Sequence, residues 1–287
     1  MLKSIFFQIA RDSYLQDDVT ERILMALTWM TRESLFLAED IHPSHLYSFQ
    51  KYIHDIKNGI PEAYILWEQE FFWRRFYVNN TTLIPRPETE LLVEVLRNLC
   101  CENANMNQSS YIDVGTGTGC ILASILLELH PLRFFSIYWV DIDQHILWLT
   151  QKNLDRYKLW VTWLIDGSLI FPFLEKKYSF WKHLYLSANL PYIRIGDKSN
   201  MWENVIKYEP PSALYWWVKN GFELYEKLIH QCYILKKMYN LESLHVCIEI
   251  GYDQYEYSSH FLKGLWLRFE FFQDIHTIQR VIYITGF

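Results

Sequence analysis

Long apolar runs are missing from this sequence of 287 residues. A helix that crosses a bilayer needs roughly 18 or more consecutive apolar residues, and because no such run occurs we expect no membrane span. The first residues, MLKSIFFQ, become polar too soon for the apolar stretch of a secretory signal peptide. We therefore expect a cytoplasmic protein with no membrane partner.

Cysteine and glycine are both scarce. The five cysteines (Cys100, Cys101, Cys120, Cys232 and Cys247) form no CxxC pair, which argues against a disulfide scaffold and against a zinc site. We interpret them as reduced, small apolar residues and expect no metal. Glycine occurs 10 times, about half of what average usage predicts. Tryptophan, in contrast, occurs 12 times.

Basic residues are fewer than acidic ones, and the net charge is -6. A protein that coats nucleic acid needs excess positive charge to neutralise phosphates. The net charge therefore argues against a protein that coats nucleic acid, but it does not exclude a local basic patch. What the chain does have is apolar content: 51% of its residues are hydrophobic and 17% are aromatic. This is enough for one large domain, or for a small and a medium one.

The first 75 residues are predicted to form a small helical domain. Asp17, Asp18 and Thr20 can begin a helix that carries Ile23 and Leu24. Residues 76–110 are predicted to be a linker that completes a hairpin, continues into a helix and ends in a polar loop at 103–110. The linker helix follows residues 85–90 (PRPETE), because proline and acidic residues suit the first turn of a helix.

Strands and helices alternate through the third predicted segment, residues 111–287. The predicted strands are 111–114, 135–140, 159–164, 183–188, 244–250, 269–273 and 281–285. The predicted helices are 120–129, 144–157 and 220–239. This alternation indicates an α/β fold with a Rossmann-like, doubly wound parallel sheet.

A glycine-rich loop joins the first strand of this sheet to the first helix. It contains Gly115, Thr116, Gly117, Thr118 and Gly119, and glycines at such a turn let a ligand approach the main chain. Asp141 ends the next strand, where a carboxylate can accept hydrogen bonds from a ribose diol. The spacing G-x-G-x-G favours S-adenosylmethionine over a dinucleotide, whose loop is G-x-G-x-x-G. A tight turn without any ligand stays open.

The tetrapeptide Asn189-Leu190-Pro191-Tyr192 follows the predicted strand 183–188. Open α/β sheets bind ligands at the carboxyl ends of their strands. A planar amide or amine nitrogen is a poor nucleophile, because its lone pair is delocalised. The Asn189 side-chain oxygen and the Leu190 carbonyl can accept from its N–H groups, and Tyr192 can stack on its plane. Catalysis would then rest on positioning and electrostatics. An ordinary turn after a strand is the alternative.

Several segments together resemble the release-factor glutamine methyltransferase family (PrmC/HemK) over nearly the whole chain. They are residues 83–90 (LIPRPETE), 113–119 (DVGTGTG), 188–193 (ANLPYI), 208–210 (YEP) and 248–254 (IEIGYDQ). The first is the most specific. The resemblance implies a class I methyltransferase fold and S-adenosylmethionine as cofactor. It also implies N5-methylation of the glutamine in the Gly-Gly-Gln motif of peptide chain release factors, with the helical domain helping to hold the release factor.

The resemblance also implies roles for individual residues. The cofactor would be held by Gly115, Thr116, Gly117, Thr118, Gly119, Asp141, Ser168, Leu169 and Asn189. The substrate glutamine would be bound, and the catalysis carried out, by Asn189, Leu190, Pro191 and Tyr192. Arg86, Glu88 and Thr89 lie in the family signature, where a functional role and a purely structural role as helix cap and interdomain brace are equally open. A monomer is expected.

Leu190 departs from the family, which has proline at this position. Asn-Leu-Pro-Tyr also occurs in ribosomal RNA adenine dimethyltransferases, so an RNA adenine N6-methyltransferase, with ribosomal RNA as partner, is the alternative enzyme. Those enzymes place the cofactor loop near the N-terminus, whereas more than a hundred residues precede it here. A non-catalytic binding module with this fold and a dehydrogenase are further alternatives, although no histidine motif supports the latter.

Five tryptophans form the second departure: Trp67, Trp73, Trp139, Trp216 and Trp217 stand where the family has glycine or small residues. Glycine and tryptophan together reach the glycine content of an average chain of this length. We therefore hypothesise that some UGA codons, shown here as tryptophan, are read as glycine in the source organism.

Overall fold

The computed structural model describes residues 1–102, 108–129, 134–160, 163–175, 178–194, 196, 203–216 and 220–287. The chain divides into two compact units, Met1–Glu68 and Gln69–Phe287. Most of the predicted polar loop at 103–110 lies outside the described residues, and Ser109 and Ser110 already belong to a strand. Within the described part of the chain, no helix has both the length and the apolar content of a membrane span.

The first unit is helical. Its helices are α1 (Lys3–Asp12), α2 (Asp17–Thr28), α3 (Arg32–Leu37), α4 (His45–Lys57) and α5 (Glu62–Leu66). Each of the longer helices turns a narrow apolar stripe inward, and the buried stripes share one small core that includes Phe6, Ile23, Leu24, Phe49 and Ile53. Phe6 and Phe49 meet edge to face, with ring centroids 5.1 Å apart. Asp17 and Asp18 lie in the first turn of α2, where acids suit the helix dipole.

A two-stranded hairpin and a helix precede the main sheet. The hairpin consists of β1 (Glu68–Phe71) and β2 (Arg74–Tyr77), and the helix is α6 (Glu90–Glu102). A short 3-10 turn at Pro87–Thr89 leads into α6, as proline at the helix start predicts. Residues 1–75 as one binding domain and 76–110 as its linker stay predictions.

The strands of the main sheet are β3 (Ser109–Val114), β4 (Phe134–Asp141), β5 (Trp163–Asp166), β6 (His183–Ala188), β9 (Ser243–Glu249), β10 (Arg268–Gln273) and β11 (Gln279–Thr285). Its longer helices are α7 (Cys120–Leu129), α8 (Gln144–Arg156), α11 (Glu223–Tyr239) and α12 (Tyr255–Gly264). The short elements β7 (Ile193–Arg194), α9 (Glu203–Tyr208), α10 (Pro211–Leu214) and β8 (Tyr215–Trp216) lie between β6 and α11.

The predicted α/β sheet is confirmed. Among the described residues it has seven strands in the order β10-β11-β9-β6-β3-β4-β5, and all are parallel except β11. Successive side chains of a strand point to opposite faces. Leu184 and Leu186 therefore join one core cluster, whereas Tyr185 joins the cluster on the other face. Helices cover both faces, so the strands are apolar on both sides.

One predicted strand, 159–164, was placed too early. The structure starts β5 at Trp163, and residues 161–162 lie outside the described part. Lys158 has a φ of 57°, and the N–H of Leu159 donates to the Leu154 carbonyl. The backbone at Lys158 and Leu159 therefore forms the C-terminal turn of α8 rather than a strand, a distinction that the apolar pattern alone does not make.

We expect Phe49→Ala to destabilise the helical unit by about 3–5 kcal/mol, because it empties a fully buried site and removes the edge-to-face pair with Phe6. Hydrogen exchange should show faster exchange of amides in residues 1–66 and little change in the main sheet. Tyr47→Ala, an exposed position on the same helix, is the control and should change exchange little. Equal protection of residues 1–66 in wild type and Phe49→Ala would contradict this account of the core.

Candidate active site

The register of three neighbouring strands brings the predicted site residues to one edge of the sheet. β6 pairs with β3 and with β9, and Ala188 lies opposite both Val114 and Ile248. The residues that follow are Gly115 after β3 and Asn189 after β6, while Glu249 is the last residue of β9. These residues therefore lie close together, although they are far apart in the sequence.

The glycine-rich loop is held by hydrogen bonds to β4 and α8. Gly115 and Thr116 donate to the Val140 carbonyl at 2.8 and 3.1 Å, and the Thr150 hydroxyl donates to the Gly117 carbonyl at 2.7 Å. All three glycines have positive φ. At Gly119, φ is 76° and a Cβ would lie 2.7 Å from the Thr150 methyl carbon, so a side chain is excluded on two grounds.

The buried carboxylate of Asp113, on β3, holds this loop in place. Asp113 accepts hydrogen bonds from the hydroxyls of Thr116, at 2.8 Å, and of Ser187. The Ser187 hydroxyl lies 2.6 Å from that of Tyr111. Burial raises the pKa of Asp113 to about 6, although the two hydroxyl groups oppose this rise. The network connects β3, β6 and the loop, so it fixes the position of the loop relative to the sheet.

A cavity of about 650 Å³ opens beside the loop. The predicted cofactor residues that line it are Gly115, Gly117, Asp141, Ser168, Leu169 and Asn189. Thr116, Thr118 and Gly119 are not among its lining residues: Thr116 bonds to Asp113, and the Thr118 carbonyl accepts from Asn153 at 2.8 Å. These three residues shape the loop, whereas Gly115 and Gly117 present its backbone to the cavity.

Three carboxylates contribute to the lining of this cavity. Asp141, Asp143 and Asp166 all line it. Asp141 accepts from the N–H of Gly117 at 3.0 Å and of Ile142 at 2.8 Å. The N–H of Asp143 is a third donor to Asp141, at 3.4 Å. A carboxylate has about four acceptor positions, so Asp141 can still accept from one hydroxyl group of a ligand. Burial raises the pKa of Asp141, and hydrogen bonds from these backbone N–H groups oppose this rise.

A second cavity, of about 360 Å³, adjoins the first. It is lined by Arg86, Glu88, Tyr192, Glu249 and Arg280, among others. Residues that line both cavities form their shared wall: Leu83, Asn189, Leu190, Pro191 and Ala213. Groups bound in the two cavities would therefore meet at the tetrapeptide that begins with Asn189.

The Asn189 carboxamide is held in one orientation. Its nitrogen Nδ2 donates to Glu249 Oε2 at 2.9 Å and to Thr89 Oγ1 at 3.1 Å. With both N–H groups used in this way, the oxygen Oδ1 is the part of the side chain that can receive a hydrogen bond from a ligand.

The backbone after Asn189 is fixed by Tyr225. The N–H of Leu190 donates to the Tyr225 hydroxyl at 2.9 Å, and that hydroxyl donates to the Glu249 carbonyl. Burial raises the pKa of Tyr225 well above its ordinary value, so the donor stays protonated. The Leu190 carbonyl lies 3.5 Å from the same hydroxyl, too far for a strong hydrogen bond.

Two glycines make room for Tyr192. A Cβ on Gly221, where φ is 77°, would lie 2.1 Å from the Tyr192 carbonyl oxygen. A Cβ on Gly251 would lie 3.1 Å from a carbon of the Tyr192 ring. The ring therefore rests on bare backbone at the second cavity. Burial raises the pKa of Tyr192, which keeps its hydroxyl neutral.

Arg86 anchors the wall of the second cavity. Its guanidinium pairs with the buried carboxylate of Glu209, which also accepts from the N–H of Ile84 at 3.3 Å. Arg86 thus connects the segment before α6 to the turn before α10 within the second unit. Thr89, in contrast, contacts Asn189 directly and belongs to the site.

Comparison with known proteins identifies the chain. No family model matches it. It is 31% identical over 208 residues to the release factor glutamine methyltransferase of Flavobacterium psychrophilum, covering 72% of this chain and 70% of that protein. The same enzyme of Bacillus subtilis is 30% identical over 245 residues, covering 83% of this chain and 80% of the relative. The chain belongs to the release factor glutamine methyltransferase family.

A solved structure supports the methyltransferase fold. The hMettl16 catalytic domain, in complex with an RNA hairpin, aligns with a TM-score of 0.52 and 14% identity, covering 72% of this chain and 74% of that chain. At this identity the likeness concerns the fold alone. The prediction of a class I methyltransferase sheet in the release factor glutamine methyltransferase family is confirmed.

Sequence reasoning missed several residues of the site in this family member. Thr89 and Glu249 lie in the segments that carry the resemblance, but no role at the acceptor was predicted for either. Asp166 ends β5 as Asp141 ends β4, and Asp143 lies two residues beyond β4, so their positions at strand ends were the available signal. Tyr225 had no signal, because it lies among apolar residues of α11.

The raised pKa of Asp113 makes part of the stability of the fold depend on pH. Its contribution is fully present below the ordinary pKa of 3.8 and is lost as pH rises through about 6. Each pKa unit corresponds to about 1.4 kcal/mol, so we expect Asp113 to lower the free energy of unfolding by about 2 kcal/mol between pH 4 and pH 7. Urea unfolding of Asp113→Asn should show a smaller fall over this range. Equal falls in variant and wild type would show that Asp113 does not titrate as the buried network requires.

Proposed function

We propose that this protein transfers the methyl group of S-adenosylmethionine to the side-chain amide nitrogen of the glutamine in the Gly-Gly-Gln motif of peptide chain release factors. The observation that carries the proposal is the shared wall of the two cavities. There the Asn189 carboxamide is held with its oxygen available as acceptor, between a space for the methyl donor and a space for the glutamine side chain.

The residues of the first cavity fit S-adenosylmethionine. A Cβ on Gly117 would have no neighbour closer than 4.0 Å, so the loop leaves its backbone open to a ligand. Asp141 has acceptor capacity left for a ribose hydroxyl, and we place the adenine near Ser168 and Leu169. Asp141, Asp143 and Asp166 supply negative charge that suits a cationic cofactor. When bound, this cofactor supplies an activated methyl group on a sulfonium sulfur.

The residues of the second cavity act on the glutamine amide. Its nitrogen is planar and a poor nucleophile, because the lone pair is delocalised into the carbonyl. Hydrogen bonds from its two N–H groups to Asn189 Oδ1 and to the Leu190 carbonyl favour a pyramidal nitrogen, and they direct its lone pair into the first cavity at the point where the two cavities meet. As the new C–N bond forms, the nitrogen loses one of its two N–H protons. Tyr192 packs against the amide plane, and Pro191 stiffens the loop. This is catalysis by orientation and by fixed dipoles.

The helical domain predicted over residues 1–75 is proposed to hold the release factor, as in the family that the chain resembles. Cytoplasmic location and a monomeric state stay predictions.

Labelled methyl transfer tests the function. The protein is incubated with labelled S-adenosylmethionine and a purified release factor, with small-subunit ribosomal RNA in parallel, and mass spectrometry locates the label. We expect label on the glutamine of Gly-Gly-Gln. Asn189→Ala should slow transfer by roughly 10²–10³-fold, the usual effect of removing one preorganised hydrogen-bonding group.

Asn98→Ala, an exposed position on α6, is the matched control and should retain full activity. Label on RNA adenine would replace the proposal with the alternative enzyme. Cofactor binding without transfer to either acceptor would favour a binding module.

A further inference from the structure

The Asn189 carboxamide can face the second cavity in two ways. With its oxygen toward the substrate it accepts from the amide N–H groups. Turned over, it would point two N–H donors at N–H donors, and transfer could not be assisted. Catalysis by Asn189 therefore needs a neighbour that selects one orientation.

We propose that Glu249 is this positioning residue: its buried carboxylate binds Asn189 Nδ2 and so presents Oδ1 to the substrate amide. The effect of this positioning on methyl transfer rests on the proposed function. The contact is 2.9 Å long, and Glu249 is only 2% exposed. An ionised carboxylate has only acceptors, so only the nitrogen of Asn189 can face it.

Thr89 reinforces the selection. Its oxygen accepts from Asn189 Nδ2 at 3.1 Å, and its hydroxyl group favours the ionised form of Glu249. The hydroxyl can reverse, however, because it is both donor and acceptor. Among Glu249, Thr89 and Asn189, it is therefore the carboxylate of Glu249 that determines the orientation of the Asn189 carboxamide, as long as this carboxylate is ionised.

The surroundings of Glu249 make its ionisation sensitive to pH. Burial raises the pKa of Glu249 to about 7. Thr89, Arg280 and the Tyr192 hydroxyl, which lies 3.5 Å away, favour the carboxylate, whereas Glu88 opposes it. Tyr225 bonds to the backbone carbonyl of Glu249 and keeps the strand end in place. A protonated Glu249 could donate to Asn189 Oδ1 and release the selected orientation.

Kinetics of methyl transfer to the release factor test the proposal. We expect wild-type kcat to rise with pH through about 7, and Glu249→Gln to retain part of the activity without this rise. Glu249→Ala should lose roughly 10²–10³-fold in kcat, as Asn189→Ala does. Since Glu249 acts through Asn189, the double variant should be no slower than Asn189→Ala. Glu270→Gln, an exposed acid on β10, is the control.

A measurement without turnover separates this proposal from the proposed function. In protein labelled with ¹⁵N-asparagine, the Asn189 side-chain amide signals, assigned by Asn189→Ala, should shift with pH through about 7 in wild type and not in Glu249→Gln. A wild type that transfers no methyl group but shows this shift would overturn the function and leave the positioning intact. An unchanged pH profile in Glu249→Gln, or a double variant much slower than Asn189→Ala, would overturn the positioning.

A separate observation concerns four tryptophans. Trp29, Trp67, Trp73 and Trp266 have φ between 57° and 64°, in the left-handed region, and they are 62–93% exposed. L-residues with a Cβ adopt this region at a cost, and glycine is the usual occupant.

The local motifs at these positions are those in which glycine is preferred. Trp29 and Trp67 end α2 and α5. Trp266 follows α12, where Leu267 donates to the Leu262 carbonyl and Trp266 donates to that of Lys263, the hydrogen bonds of a Schellman motif. Trp73 is the second central residue of the hairpin turn, in which both central residues have positive φ.

We infer that these four positions are glycine in the protein that the organism makes, because their backbone conformation is one that glycine adopts without strain; this is the outcome that the hypothesis of recoded UGA codons predicts. Trp139 shows no such sign: it lies fully buried in β4, within the core. Trp217 lies outside the described residues.

Peptide mass spectrometry of the protein isolated from its source cells decides the inference: glycine is expected at all four positions, and tryptophan there would overturn it. Recombinant variants test the same physics. Trp266→Gly and Trp29→Gly should each raise Tm by roughly 2–4 °C. Trp148→Gly, at an exposed position inside α8, should lower Tm, because glycine is a poor helix former. If Trp266→Gly and Trp29→Gly lowered Tm as Trp148→Gly does, tryptophan would be the residue that suits these turns.

Discussion

The parallel register of β3, β6 and β9 is the constraint on which the site depends. It sets Val114, Ala188 and Ile248 side by side, so the glycine loop, the Asn189 tetrapeptide and Glu249 all lie at one edge of the sheet. A shift of one residue in any of these strands would turn its apolar side chains to the opposite face. The two core clusters therefore maintain the site as well as the fold.

Two buried carboxyl groups, those of Asp113 and Glu249, hold the residues that line the two cavities. Asp113 holds the loop of the first cavity through Thr116, and Glu249 holds the acceptor residue of the second through Asn189. Both carboxyl groups are almost fully buried, and burial raises the pKa of each. Burying such groups costs free energy unless their partners satisfy them. The fold retains both because they fix the orientation of atoms that must meet a cofactor and a substrate.

Periodicity and local motifs predicted much of the fold. Strand 183–188 and helix 120–129 are found at the predicted residues, since apolar runs bounded by turn residues define them well. The glycine loop and the tetrapeptide were recognised because their residues are contiguous. Thr89 and Glu249 were not assigned to the site, because their contacts with Asn189 join residues 100 and 60 positions apart. Tyr225 contacts the site residues through its hydroxyl, and a buried tyrosine on an apolar helix gives no sign of that.

A crystal structure of the protein with S-adenosylhomocysteine and a release-factor domain that carries Gly-Gly-Gln would test the central claim most directly. We expect the glutamine side-chain nitrogen about 3 Å from Asn189 Oδ1, facing the cofactor sulfur directly where the two cavities meet, while Asn189 Nδ2 remains on Glu249. A glutamine bound away from Asn189, or an Asn189 carboxamide turned so that its oxygen faces Glu249, would contradict it.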